Sequence, residues 1–135
     1  ERAKIGDPHV KAGLVAGDGG AIIWPQLIGY ARAKEYLLTG KLLSATDAAT
    51  MGLINYAVPA EQLDEKVNEI VQELLFSPRW AVRYTKTVMN LPLRELATKI
   101  TDAAVAYEMY TNLMVDRKES VAAFQEKRAP NLTGE

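Results

Sequence analysis

The sequence predicts a mostly helical α/β chain with a few short strands, and three observations carry that expectation. Apolar residues in the second half recur at helical spacing: Leu63, Val67, Ile70, Val71, Leu74 and Leu75 fall at i, i+4, i+7, i+8, i+11 and i+12. The first half is instead cut by glycine and proline into short pieces, some with strand-like alternation. The chain has 135 residues, 48% hydrophobic and 24% charged, which is one globular domain's worth of material.

The elements follow in order. Ala3 and Ile5 alternate with Arg2 and Lys4, which reads as a short strand. Asp18 is placed to cap a helix that passes through Ala21-Ile22-Ile23-Trp24 and stops near Gly29, with Pro25 in its early turns. A second helix over 31–39 ends at Gly40. Ser44-Ala45-Thr46-Asp47 resembles a capping box opening a two-turn helix that closes at Gly52. Leu53 to Val58 reads as a strand stopped by Pro59. After the periodic helix, Ser77-Pro78 opens another that runs to Asn90 and is broken at Leu91-Pro92. A long helix over 93–115 comes next, and Asp116 with Glu119 opens a last one to Arg128. The tail 129–135 shows no pattern.

Charge and composition exclude several classes. Sixteen Lys and Arg balance seventeen Asp and Glu, with neither half skewed, which argues against nucleic acid or an anionic membrane as partner. No apolar run approaches a membrane span, and no signal-peptide pattern opens the chain. Without cysteine there is no disulfide framework and no thiolate, and no metal site is expected. A soluble cytoplasmic protein is expected. No Met opens the sequence, and Glu1-Arg2-Ala3-Lys4-Ile5-Gly6 reads as the middle of a longer polypeptide, so an N-terminal portion is expected upstream. Ala106, Met109, Tyr110 and Met114 make the late helices apolar on more than one side, which predicts oligomerisation.

Chemistry concentrates in 7–20, Asp-Pro-His-Val-Lys-Ala-Gly-Leu-Val-Ala-Gly-Asp-Gly-Gly. His9, the only histidine, precedes Asp18 by nine residues across a glycine-rich bend. An imidazole oriented by a carboxylate makes a general base, so His9 and Asp18 are the candidate catalytic residues. Gly17-Asp18-Gly19-Gly20 has no following Lys-Ser/Thr and no G-x-G-x-x-G, which argues against a phosphate loop.

Several segments together resemble the crotonase (enoyl-CoA hydratase/isomerase) superfamily. They are Gly6-Asp7-Pro8-His9-Val10, the turn 13–20, Tyr30-Ala31-Arg32-Ala33-Lys34-Glu35, Leu37-Leu38-Thr39-Gly40, Ala45-Thr46-Asp47-Ala48-Ala49, Gly52-Leu53-Ile54-Asn55 and Ala123-Phe124-Gln125-Glu126-Lys127-Arg128-Ala129-Pro130. The resemblance covers essentially the whole chain and corresponds to the C-terminal half of a family member. It implies the crotonase-like spiral of ββα turns, with residues 1–58 ending the catalytic core. Residues 59–135 would form a helical oligomerisation region that assembles a homotrimer or a dimer of trimers. The N-terminal half of the same protein would be a further partner.

The resemblance also implies a CoA thioester whose carbonyl sits in an oxyanion hole of two backbone N–H groups upstream of Glu1, stabilising an enolate. No cofactor is bound covalently, and coenzyme A enters as part of the substrate. Leu14, Val15, Ala16 and Gly17 would line the acyl pocket. Phe124 and Lys127, on one face of a terminal helix, would lean over a neighbour's CoA. His9 stands after Pro8, where a hydratase carries its second glutamate, a departure that leaves hydration, isomerisation and hydrolysis open. With Asp18 and the Ile-Ile-Trp-Pro stretch it also resembles 6-oxocamphor hydrolase, a relative that cleaves a β-diketone with water. An acyl-CoA enzyme is therefore the leading expectation. A C–C hydrolase of a small ketone and a non-catalytic oligomerisation piece are the alternatives.

Overall fold

In a computed structural model of the chain, residues 2–135 are described, and Glu1 lies outside them. β1 (Lys4–Ile5) is that strand, two residues long. It pairs antiparallel with β2 (Leu43–Ser44), Lys4 opposite Ser44 and Ile5 opposite Leu43. Two residues are too few to show a period, which is why nothing in the sequence announces β2.

Between the strands lie one 3-10 turn (His9–Ala12) and two packed helices, α1 (Gly20–Ile28) and α2 (Tyr30–Thr39). Their apolar faces enclose Ala16, Ile28, Ala33 and Leu37, with Trp24, Tyr36, Met51 and Leu53 packed around them. Gly40 ends α2 in the left-handed region at φ 58°, its N–H returning to the Tyr36 carbonyl. α3 (Ala45–Thr50) is opened by Ser44 as the capping pattern predicts. Ser44 Oγ accepts the Asp47 N–H at 3.0 Å and donates to Asp47 Oδ2 at 2.6 Å.

Three expectations in this half and the next are corrected by backbone bonding. Asp18 does not cap α1: Gly19 occupies the cap, its carbonyl accepting from Ile22 and Ile23, and the Asp18 side chain turns toward His9 instead. Residues 53–58 are not a strand. The Leu53 and Ile54 amides both return to the Ala48 carbonyl, at 2.9 and 3.4 Å, and so close the end of α3 rather than joining a ladder. Ser77 does not cap the next helix, because its hydroxyl donates back to the Glu73 carbonyl at 2.8 Å.

The second half is helical: α4 (Leu63–Phe76), α5 (Arg79–Asn112) and α6 (Val115–Gln125). Pro92 fails to break α5, which runs through it for 34 residues. An interior proline costs about 3 kcal/mol. Leu93, Leu96, Ala97, Ile100 and Ala104 keep one inward face at helical spacing beyond it, and that shared burial outweighs one missing hydrogen bond. α4 forms as expected but buries none of its residues: Leu63, Val67, Val71, Leu74 and Leu75 are exposed. No helix among the described residues is long and apolar enough to cross a membrane.

Asp116 and Glu119 make no capping box, because α6 starts at Val115 and their carboxylates are used elsewhere. Asp116 accepts the amides of Thr133 and Gly134 at 2.8 and 2.9 Å. Glu119 pairs with the Arg128 guanidinium and accepts the Asn131 amide at 2.8 Å, which holds its carboxyl down at about 2. The tail is therefore tied to α6. The helix ends at Gln125, and Lys127 takes a left-handed conformation at φ 55°, so Phe124 and Lys127 do not share a helix face.

Candidate active site

The segment 7–18 is held from behind by the far end of the chain. Arg117, in α6, donates from Nη1 to the Ala12 carbonyl at 2.9 Å. The Val15 amide donates to Thr111 Oγ1 of α5 at 3.2 Å. Gly17 is buried, and a Cβ there would stand 2.4 Å from the Ala104 carbonyl oxygen, so the bend lies directly on the α5 backbone.

These contacts bring three carboxylates around His9. Asp7 Oδ1 accepts both the His9 backbone N–H, at 3.3 Å, and the ring Nδ1. Asp18 Oδ2 lies 3.7 Å from Nε2, and Glu108 Oε1, on α5, lies 3.9 Å from it. The sequence points to His9 and to one of the groups that face its ring, Asp18. It does not single out Asp7, although the i, i+2 spacing across Pro8 is a usable signal. Nor does it single out Glu108, which no local pattern connects to the bend.

Asp7 as acceptor assigns the proton of neutral His9 to Nδ1 and leaves the Nε2 lone pair free. The hydrogen bond that Nδ1 donates to Asp7 raises the His9 pKa above its ordinary value. Partial desolvation opposes the rise, and the charges of Asp7, Asp18 and Glu108 add to it. The side chain is 25% exposed, so it is open to a reactant. Such an imidazole takes up a proton at Nε2 and has its cationic form stabilised by Asp7. Asp7, His9 and Asp18 each bring a ligand-type atom within 4.8 Å of the others. Nδ1 is bonded to Asp7, while Asp18 and Glu108 face Nε2.

Two apolar clefts flank the turn. One, of about 440 Å³, is lined by Leu14, Val15 and Ala16 together with Val10, Ala33 and Leu37. The other, of about 470 Å³, lies between Pro8, Lys11 and α6 and includes Phe124, which is 85% exposed. Gly17 lines neither cleft because it is covered by α5, and Lys127 is outside both.

The enoyl-CoA hydratase/isomerase family model matches residues 1–135. An enoyl-CoA isomerase/hydratase of Mycosarcoma maydis is 37% identical over 98% of this chain and 48% of its own length. A crotonyl-CoA hydratase of Syntrophomonas wolfei is 33% identical over 96% of this chain and 50% of its own. Among solved structures, a carnitinyl-CoA hydratase from Mycobacterium avium superposes with a TM-score of 0.89 at 30% identity, covering 98% of this chain and 52% of that one. The chain spans about half the length of these relatives. A family-model match over residues 1–135, with a crotonase-type fold likeness over 98% of the chain, shows that the chain belongs to the enoyl-CoA hydratase/isomerase family.

Proposed function

We propose that the chain supplies the acid–base centre of an enzyme acting on an acyl-CoA thioester. The thioester carbonyl is held by two backbone N–H donors from outside these 135 residues, and the reaction passes through an enolate. The observation that carries this reading is His9, with Nδ1 committed to Asp7 and Nε2 facing Asp18 and Glu108, on a turn whose next residue, Val10, lines the apolar cleft with Leu14, Val15 and Ala16. In this reading Nε2 moves a proton at the acyl chain or at an attacking water, and the cleft takes the acyl chain. Asp18 and Glu108, facing Nε2, balance the charge of the imidazolium that forms.

A second reading, hydrolytic cleavage of a small β-diketone, is favoured by one feature: by the family resemblance, His9 takes the place of a hydratase carboxylate, and an imidazole suits activation of a lone water. The relatives described above are named for enoyl-CoA chemistry, and the diketone reading rests on His9 alone. The exposed apolar residues of α4 and α5 support burial against further polypeptide, which by the family resemblance would be the N-terminal half of the same protein and the other subunits of a homotrimer or a dimer of trimers.

The test is to offer full-length protein crotonyl-CoA and, separately, a cyclic 1,3-diketone. Turnover of crotonyl-CoA without the diketone is expected. Turnover of the diketone alone reverses the order of the two readings. Inertness toward both supports a non-catalytic piece.

A further inference from the structure

We propose that Asp7 is the positioning residue of His9 and that Gly20 is the residue that lets it fit; this rests on reading His9 as the base. The residue before a proline is confined to extended backbone, which helps fix where the Asp7 side chain leaves the main chain. Its Oδ1 then accepts from the His9 amide and from ring Nδ1. Its other oxygen, Oδ2, lies against the first residue of α1, where a Cβ on Gly20 would stand 1.8 Å from it and 3.0 Å from Cγ. The carboxylate fills the space that any other side chain would need.

The side chain of Asp7 is only 9% exposed. A carboxylate so enclosed needs compensation, and it has the imidazole on one side and the positive end of α1 on the other. Gly20 therefore has a function beyond turning the chain.

Asp18 does not satisfy the same requirement. It is 63% exposed, 3.7 Å from the ring and directed at Nε2. A residue that orients a base must hold the nitrogen that does no chemistry, because a carboxylate bonded to Nε2 would occupy the lone pair the reaction uses. The three facing groups thus divide: Asp7 fixes the tautomer at Nδ1, and Asp18 and Glu108 face the working nitrogen.

The test follows the His9 ring by 1H–15N NMR, its signals identified by their loss in His9→Gln. In Asp7→Asn the ring midpoint is expected to fall and the Nδ1–H tautomer to mix with the other. The same variant should lower kcat by about tenfold or more while KM changes little. Gly20→Ala, which keeps Asp7 but displaces Oδ2, is expected to move the ring the same way. An unchanged tautomer and midpoint in both variants overturn the proposal, whatever happens to turnover. A ring that responds as expected, in an enzyme where His9→Gln turns over like the parent, leaves the positioning intact. That result refutes His9 as the base.

Discussion

His9→Gln is expected to lower kcat by about 10²-fold or more, the scale of losing a general base. Glutamine is close in length and offers Asp7 an amide donor, so the bend and the Asp7 contact are retained. What it lacks is a nitrogen that can take a proton near neutral pH. The apolar cleft proposed for the acyl chain is lined by Leu14, Val15 and Ala16 and not by the ring, so KM should move little. Measuring kcat and KM separately checks this, with circular dichroism to show that the fold is kept. Turnover like the parent's would move the proton transfer to Asp18 or Glu108, the other titratable groups at Nε2.

Gly17→Ala is the substitution expected to be most damaging to stability. The new methyl would stand 2.4 Å from the Ala104 carbonyl oxygen, 2.9 Å from its carbon and 2.9 Å from Glu108 Oε2. Two of those atoms are backbone of α5, which cannot swing aside as a flexible side chain would. The bend and α5 must separate, and overpacking of that kind costs about 2–3 kcal/mol. For a chain of this size the melting temperature should fall by roughly 10 °C. Thermal unfolding followed by circular dichroism measures it, and a shift of a degree or two would show that the bend does not rest on α5. The same separation moves Glu108 away from His9, so activity should fall further than instability alone accounts for.

Where one residue's own chemistry decides the structure, the sequence was legible. Ser44 caps α3 because its hydroxyl reaches the backbone amide three residues ahead, and Gly40 ends α2 because it tolerates a left-handed φ. The same local signals misled where distant groups competed for them. Asp18 had a helix to cap and turned toward an imidazole instead. Ser77 bonded back to Glu73, and Asp116 was taken by the tail. Pro92 shows the reverse case, a strong local signal overruled by the packing of one long helix face.

The candidate site divides along the same line. His9 was visible as a lone imidazole, and Leu14, Val15 and Ala16 as the apolar centre of the bend. The resemblance places Gly17 with the acyl pocket, and in the structure its smallness permits close approach to Ala104. Glu108 reaches Nε2 only because α5 crosses behind the bend, and no spacing in the sequence encodes that crossing.

A single comparison bears most directly on whether the imidazole does the chemistry: the midpoint of the His9 ring titration against the midpoint of the pH–rate curve. Both should rise together through one value above 6.5, since the ring's pKa is raised and only its neutral form can accept a proton. A rate that stays level while the ring passes from charged to neutral would contradict the account.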